Sequence, residues 1–376
     1  MSVRKRRWTT RQGDSKEAWI VDYVDQDGDR HIETFERKKD ADAFHATVRV
    51  DVSKGEHIAP SKSETIQDAA ERWIRRVEAA GRERGTIRQY RQHIELHIKP
   101  RIGATKLAHL TATKVEAFRD DLVASMSRPL ARKVLTSLKS IMRVAKRAHV
   151  AADVSIGKDK RKRKLEIGVD IPSPDEIMRL IKAAASAEIR PRTLLIVAIF
   201  TGLRASELRG LRWRDVDFKH NEINVCQRAD RYCAIGAPKS ESGTRTVDFD
   251  ARVATALKEW KLRCPKGEAD LVFPTSTGRV EHHRSMLSSL DPVLLAAGLA
   301  KKDGRPKYGL HAFRHFFASW CLNRRADGGR ELPAKNVQEL LGHSTIAITM
   351  DVYGHLFRRT SDSRTELAAS TAALWA

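Results

Sequence analysis

Six side chains that could bind and attack an anion stand at turns or near the ends of apolar segments in the second half of the sequence. They are two guanidiniums, one ammonium, two imidazoles and a phenol: Arg204, Arg314, Lys239, His311, His343 and Tyr353. Guanidiniums hold anionic oxygens through charge-assisted hydrogen bonds, and lysine and histidine transfer protons. A phenol is a weak nucleophile at neutral pH, but neighbouring cations and a base make it competent. These residue types suit nucleophilic attack at an anionic centre.

The flanking sequence places two of these side chains at helix ends. Gly342 can end a short apolar helix that includes Val337, and Ser344 can cap a second helix, so His343 lies at a corner between helices. Tyr353 stands directly before a glycine, where the second helix passes into a loop. The phenol is therefore expected where it can turn toward a ligand.

Of the other four side chains, one is expected after a buried helix, one at a hairpin tip and two on a further helix. Residues 192–200 are apolar on nearly every face, which predicts a central helix shortly before Arg204. Short strands are predicted at residues 222–227, 232–237 and 244–249, with Lys239 at the hairpin tip between the last two. His311 and Arg314 are three apart, so a helix near residues 310–322 presents them on one face. Helices are also predicted at residues 251–263 and 284–297.

Each of these residues alone also has an ordinary structural explanation. Arg204 could pair with Glu207, His311 could cap its helix, and Lys239 could be solvated. A Leu-Gly-His corner is a common turn, and a tyrosine before glycine is usually packed. The argument for chemistry therefore depends on the whole set occurring in one chain.

The charge balance narrows the class of partner. The chain has 376 residues, enough for two or three domains, and a formal net charge of +22. This positive excess favours nucleic acid, and no apolar run reaches the roughly eighteen residues of a membrane span. Four cysteines without paired metal spacing fit small buried side chains in a reducing cytoplasm. We expect a cytoplasmic protein that binds nucleic acid and has no membrane partner.

Residues 1–60 predict a small sheet with one helix. Strands at residues 18–25 and 30–35 flank a turn, and a helix at residues 38–53 carries apolar residues on one side. Basic residues lie on or beside the first strand, and a β-ribbon fits the DNA major groove. A solvated basic tail is the alternative. The candidate DNA contacts are Arg4, Lys5, Arg6 and Arg7.

Residues 61–152 predict an all-helical domain. Thr65 and Thr86 are expected to cap two helices, a third helix starts near Thr111, and a fourth spans about residues 129–149. Solvated helix faces usually mix both signs, whereas these outer faces are predominantly positive, which favours phosphate contacts. The candidates are Arg88, Arg91, Lys139 and Arg143, with Lys114, Arg132, Lys133, Lys146 and Arg147 on the same faces.

Residues 153–171 contain little that could pack and predict a basic linker. Repulsion between successive cations keeps such a segment extended, so that it can follow a DNA backbone and release counterions. A flexible hinge is a compatible alternative. The candidate contacts are Lys160, Arg161, Lys162, Arg163 and Lys164. Residues 172–376 form the last domain, which opens with a helix start signal at Ser173 and Pro174.

The motifs taken together resemble the tyrosine recombinases of the phage integrase family. The matching stretches are residues 201–208 around Arg204, Lys239, His311-x-x-Arg314-His315, Leu341-Gly342-His343 and Tyr353-Gly354-His355. The resemblance extends from about residue 64 onward, with no departure at an expected position. More weakly, residues 1–60 resemble the family's arm-binding domain, and residues 61–152 its core-binding domain. The resemblance implies a multidomain, mainly α fold whose α+β catalytic domain holds a small antiparallel sheet.

The resemblance implies a chemical role for four of the residues. Tyr353 would attack the scissile phosphate and leave a 3′-phosphotyrosine and a free 5′ hydroxyl. Arg204 and Arg314 would clamp the non-bridging oxygens, and Lys239 would protonate the departing 5′ oxygen.

The remaining residues of the set would assist this reaction. His311 would act as a base or hydrogen-bond donor, and His343 would donate to the phosphate. Glu207 and His315 would support the set from behind, although a structural helix contact is an equal explanation for Glu207. The resemblance implies neither a metal nor a cofactor.

The implied function is that of a mobile-element integrase that cuts and rejoins double-stranded DNA at core sites and arm-type sites. The tail beyond residue 360, if helical, is apolar along one arc and should be buried. The resemblance implies docking on a neighbouring protomer in a tetramer, and packing on its own domain is the alternative. An excisionase or a DNA-bending host factor is a candidate partner. The rival functions are a chromosome-dimer-resolving recombinase, a type IB topoisomerase and a non-catalytic DNA-binding protein.

Overall fold

The structure is a computed structural model that describes residues 2–9, 15–53, 63–157 and 164–356. It begins with an antiparallel sheet in the order β1-β2-β3, and one helix packs against its middle strand. Val21 and Tyr23 on β2 are buried with Val48 of the helix, which confirms the predicted sheet and helix. The elements are β1 (Ser2–Thr9), β2 (Ser15–Val24), β3 (Arg30–Phe35) and α1 (Lys38–Ser53).

A helical block with its own hydrophobic core follows. The predicted cap at Thr65 is confirmed, because its hydroxyl accepts a backbone N–H of the first turn. The helix predicted to start near Thr111 begins at Ala112, and the Thr111 hydroxyl caps it. The predicted cap at Thr86 is wrong: the turn at Gly81 ends early enough for the helix to begin at Arg84. The helices are α2 (Ile66–Ala79), α3 (Arg84–His93), which continues through a π turn (Ile94–Ile98) into α4 (Lys99–Ile102), then α5 (Ala112–Ser125) and α6 (Arg128–Val144).

The last predicted helix of this block is shorter than expected. Helix α6 ends at Val144, and Lys146 takes a positive φ of 55°, so residues Ala148–Ala151 form a separate 3-10 turn. Arg147 then points inward instead of lying on the outer face. Its side chain is buried and pairs with Asp51 at 3.0 Å, so its assignment as a surface phosphate contact is wrong.

The second half of the chain is built around the buried helix Ile189–Thr201. Ser173 and Glu176 form a reciprocal capping box at the start of α7, as the start signal predicts. The helix predicted near residues 284–297 is instead two short helices, because Pro292 starts a new one. The helices are α7 (Pro174–Ala185), α8 (Ile189–Thr201), α9 (Ala205–Gly210), α10 (Ala251–Lys261), α11 (His283–Ser288), α12 (Asp291–Ala296), α13 (Leu310–Leu322), α14 (Ala334–Leu341) and α15 (Ile346–Tyr353).

The strands of this part form two separate sheets. Lys239 does not lie at a hairpin tip, because the strands before and after its loop pair with different partners. The last strand returns to β5 and buries Val247 against Ile223, whereas the strand before Lys239 pairs back on residues 228–229. The sheets are β4 (Val216–Asp217), β5 (Glu222–Val225) and β8 (Arg245–Asp248), and a ribbon of β6 (Arg228–Ala229) and β7 (Ile235–Gly236).

The chain divides into two compact units, Met1–Lys160 and Arg161–Ala376. The predicted fold class, a multidomain and mainly α protein with small antiparallel sheets, is confirmed. The finer boundaries at residues 60, 152 and 171 stay predictions. Among the described residues, no helix is both long and apolar enough to span a bilayer. All four cysteines are free, and the expectation that they are buried holds only for Cys321; Cys226 is exposed where β5 ends.

Candidate active site

Two glycine turns bring Arg204 and Arg314 side by side. Gly202 ends α8 with a φ of 61°, and Gly342 ends α14 in the same left-handed conformation. Arg314 donates to the carbonyls of Gly202 over 2.8 Å and Leu341 over 2.5 Å. Arg204 donates to the carbonyl of Gly342 over 2.9 Å. We call these two side chains the arginine pair, because they donate hydrogen bonds to the carbonyls of two consecutive residues, Leu341 and Gly342.

The arginine pair concentrates positive charge in a partly buried place. Burial and the charge of Arg204 lower the pKa of Arg314 to about 9. Two like charges so close repel each other, and an anion placed between them would relieve that repulsion. The site is therefore electrostatically suited to a phosphate.

A buried carboxylate holds Arg204 from behind. Glu207 accepts hydrogen bonds from the backbone N–H of Arg204 over 2.8 Å and from its Nη1 over 2.7 Å. On its other side, Arg245 donates to the same carboxylate. Burial by itself would raise the pKa of Glu207, but Arg245 and Arg204 outweigh it and lower that pKa to about 2. The predicted contact between Glu207 and Arg204 is present.

Helix α13 carries the two histidines of the motif on the face of Arg314. The ring centroids of His311 and His315 lie 4.5 Å apart, one helical turn from each other. Burial, together with the neighbouring cations, lowers the pKa of His311 and lowers that of His315 to about 4. Both imidazoles are therefore neutral at pH 7 and able to accept a proton.

His343 lies at the predicted corner between α14 and α15. Its Nδ1 is 2.9 Å from the hydroxyl of the buried Thr349, one turn into the next helix. Burial and the charges of the arginine pair lower its pKa to about 4. The predicted Ser344 cap is wrong by one residue: Thr345 occupies the N-cap position, without a side-chain hydrogen bond to the helix.

Tyr353 ends α15 with its ring packed and its hydroxyl bonded. The ring is 1% exposed and lies in a cluster with Phe317, Val337 and Leu341. Its hydroxyl is 2.7 Å from Nδ1 of His315, so a histidine expected to act from behind contacts the phenol directly. Burial raises the pKa of Tyr353 to about 12, although the arginine pair opposes this. The hydroxyl is thus held by a polar partner at the edge of an apolar cluster.

Lys239 is exposed, on a loop beside the corner formed by Gly342. We call residues 238–243 the Lys239 loop; it joins the ribbon β6-β7 to strand β8. The loop packs on the corner that holds the arginine pair, because a Cβ on Gly342 would lie 2.8 Å from the carbonyl oxygen of Ser242. The structure therefore brings the other predicted residues into one site and places the backbone of the Lys239 loop at its edge.

The sequence reasoning missed two residues of this site, Arg245 and Thr349. Arg245 shares the inward parity of β8 with the buried Val247, and a charge on the inward face of a strand was the available signal. Thr349 had no comparable signal, because a threonine in an apolar helix is unremarkable by pattern.

The candidate DNA contacts outside the site are mostly exposed. On β1, Arg4 pairs with Asp22, while Lys5 and Arg7 pair with Glu17. In the helical block, Arg88, Arg91 and Arg143 are exposed, whereas Lys139 donates to the carbonyl of Ala152. Lys164 is exposed. Lys160, Arg161, Lys162 and Arg163 lie outside the described residues, and so does the C-terminal tail.

Comparison with known proteins finds relatives for most of the chain. The family model of the phage integrase family matches residues 173–359. The chain is 25% identical over 334 residues to a XerC-like tyrosine recombinase of Caldanaerobacter subterraneus. The aligned region covers 80% of this chain and 82% of the relative. The chain is 23% identical to the ICEBs1 integrase of Bacillus subtilis, over 70% of this chain and 72% of that one. Tyrosine recombinase XerC of Xanthomonas axonopodis is 33% identical, over 48% of this chain and 52% of the relative.

Two solved structures share the fold. The Tn1549 transposon integrase in complex with transposon right end DNA matches with a TM-score of 0.63 at 18% identity, over 82% of this chain and all of that one. A lambda integrase dimer bound to a COC′ core site matches with a TM-score of 0.57 at 16% identity, over 94% of this chain and 96% of that one. The site and the fold define a DNA strand-transfer enzyme that uses a tyrosine. The chain belongs to the phage integrase family of tyrosine recombinases.

Proposed function

We propose that this protein is a mobile-element integrase that cuts and rejoins DNA through a covalent bond between Tyr353 and a 3′ phosphate. The observation that carries the proposal is the 2.7 Å hydrogen bond between the Tyr353 hydroxyl and His315, next to the arginine pair. A nucleophile, its proton acceptor and a binding place for an anion occur together. No single one of them would be sufficient.

The phenol needs a proton acceptor before it can attack. With a pKa of about 12, Tyr353 is ionised in only about one molecule in 10⁵ at pH 7. The neutral imidazole of His315 accepts the phenol proton at Nδ1 as the bond between the tyrosine oxygen and phosphorus forms. His311, packed against His315, adds a second imidazole on the same face of α13.

The arginine pair stabilises the charge that develops on the phosphate. Negative charge grows on the non-bridging oxygens as the five-coordinate transition state forms. Arg204 and Arg314 are already held in place by backbone carbonyls, so little reorganisation is needed when DNA binds. His343, whose ring is oriented by Thr349, donates a further hydrogen bond to the phosphate.

The reaction is completed at the leaving group. The bond between phosphorus and the 5′ oxygen breaks, and Lys239 supplies the proton that this oxygen takes up. One phosphodiester-like bond replaces another, so the 3′-phosphotyrosine retains the energy needed to join a partner strand. Rejoining reverses each proton transfer, with the new 5′ hydroxyl as the attacking group.

The assembly that carries out this reaction is also part of the proposal. Exposed basic residues on β1, α3 and α6 would contact DNA, as core sites and arm-type sites require. A lambda integrase structure with the same fold is a tetramer bound to a Holliday junction. A homotetramer joined by the C-terminal tails, assisted by an excisionase or a DNA-bending host factor, is the corresponding arrangement for this protein.

Chromosome-dimer resolution is the second candidate function, and the identity to XerC proteins favours it. The sheet and helix of residues 2–53, ahead of the helical block, favour an integrase, since resolving recombinases generally lack a front domain. A recombination assay distinguishes the two functions. An integrase should recombine the ends of a mobile element, whereas a resolving recombinase should recombine two chromosomal sites.

A nicked suicide substrate that carries the native attachment site tests the chemistry. Wild-type protein should form a covalent protein–DNA adduct that survives denaturation. Tyr353→Phe should bind the same DNA and form no adduct. An adduct of unchanged yield in Tyr353→Phe would show that another residue is the nucleophile.

A further inference from the structure

A buried guanidinium outside the predicted set lies behind the site. The side chain of Arg245, on β8, is only 6% exposed. Its Nη2 donates to Oε2 of Glu207 over 2.8 Å, and its Nη1 donates to Oε1 over 3.1 Å. Its Nε donates to the carbonyl of Leu340 over 2.6 Å. Arg245 therefore joins the carboxylate that holds Arg204 to the end of α14.

The same guanidinium holds the end of the Lys239 loop. Its Nη1 donates to the carbonyl of Gly243 over 3.1 Å. Gly243 in turn touches Pro238, because a Cβ built on Gly243 would lie 2.6 Å from the Cβ of Pro238. The two ends of the loop are therefore in contact, and Arg245 is bonded to that closed base.

Gly342 supplies an independent contact between the loop and the site. A Cβ on Gly342 would lie 2.8 Å from the carbonyl oxygen of Ser242 and 3.0 Å from Nη1 of Arg245. The carbonyl of this glycine also accepts the hydrogen bond from Arg204. The Lys239 loop and the arginine pair therefore meet at one glycine.

We propose that Arg245 is a positioning residue that holds the Lys239 loop in place relative to the arginine pair. This inference rests on the proposed function, in which Lys239 protonates the 5′ oxygen. Only a planar guanidinium reaches Glu207, Gly243 and Leu340 at once, because a lysine ammonium is a single point charge. Replacement of Arg245 by lysine keeps a positive charge beside Glu207 but loses the fork, so the loop loses its anchor.

Single-turnover cleavage of two nicked substrates tests this inference. One substrate has the ordinary 5′ oxygen at the scissile phosphate, and the other has a 5′ sulfur. A thiol has a pKa of about 8.5, so sulfur departs without a general acid. On the oxygen substrate, Arg245→Lys should cleave on the order of a hundredfold more slowly than wild type. On the sulfur substrate, its rate should return to within about threefold of wild type.

A second variant disturbs the loop but leaves Glu207 and the arginines bonded to it unchanged. Gly243→Ala forces the loop base apart at Pro238 and should show the same loss on the oxygen substrate alone. Arg209→Lys is the matched control. Arg209 is a buried arginine of the same unit that donates to the carbonyls of Asp230 and Glu281, and its replacement should leave the ratio of the two rates unchanged. Thermal unfolding of each variant establishes that it is folded.

Lys239→Ala distinguishes the failure of this inference from the failure of the proposed function. If sulfur restores Lys239→Ala but neither Arg245→Lys nor Gly243→Ala, the inference about Arg245 is wrong and the acid assignment stands. If Arg245→Lys and Gly243→Ala lose the same factor in rate on the oxygen and the sulfur substrate, the inference about Arg245 is likewise wrong. If sulfur does not restore Lys239→Ala, Lys239 is not the acid, and the inference is overturned together with that part of the proposed function.

Discussion

Replacement of Glu207 by glutamine would show how much of the site is held together by one buried charge. Glu207 is 3% exposed and accepts hydrogen bonds from Arg204 and Arg245. These cations lower the pKa of Glu207 from its ordinary value of 4.5 to about 2, against the effect of burial. A fall of this size corresponds to about 3 kcal/mol of folding free energy at neutral pH.

The sign of the effect determines its pH range. Because the folded pKa lies below the unfolded one, the contribution is complete above about pH 5 and is lost as the pH falls toward 2. At pH 3, about 2 kcal/mol of it has been lost. Glutamine does not ionise, so Glu207→Gln should be less stable than wild type by about 3 kcal/mol at pH 6. The difference should narrow to about 1 kcal/mol at pH 3.

Urea unfolding of the full-length protein between pH 6 and pH 3 measures this difference. Trp213 and Trp260 lie in the same hydrophobic cluster as Leu208 of α9, so their fluorescence reports on the region around Glu207. Other carboxylates with lowered pKa values, such as Asp217, titrate in both proteins and cancel. A gap that stays constant from pH 6 to pH 3 would refute the reasoning, because it would mean that the charge of Glu207 contributes nothing.

Two further predictions follow from single contacts of the site. His315→Ala removes the acceptor of the phenol proton, so the rate of single-turnover cleavage at pH 7 should fall on the order of a hundredfold, and the rate of the variant should rise with pH as hydroxide takes over. The control is His220→Ala, which replaces an exposed histidine paired with Asp217. Equal pH profiles for His315→Ala and His220→Ala would contradict the role of His315. Gly202→Ala combines a φ of 61° with a Cβ only 2.4 Å from Phe317, and urea unfolding should show a loss of about 3 kcal/mol. Gly304→Ala has a φ of 76° but nothing within 4 Å, so it should lose only about 1 kcal/mol, and equal losses would exclude the collision with Phe317 as the cause.

Local signals in the sequence were sufficient for the helix boundaries that depend on nearby residues. Thr65 and Ser173 cap their helices through contacts three residues away, and Gly342 ends α14 by its own conformational freedom. The grouping of the motif residues into one site was also predictable, because their order and types resembled a known family. Thr86 failed as a cap because the preceding turn at Gly81 decided where the helix begins.

Tertiary structure alone decided how the site residues contact one another. Arg245 reaches Leu340 across 95 positions of sequence, and Tyr353 meets His315 across 38, so no local pattern encodes either contact. The Lys239 loop joins two sheets because β8 pairs with β5 and thereby buries Val247. Strand propensity does not predict which partner a strand pairs with. The sequence by itself therefore determined which side chains are available for strand transfer. Their partners, and the pKa values that follow from burial and neighbouring charge, exist only once the chain has folded.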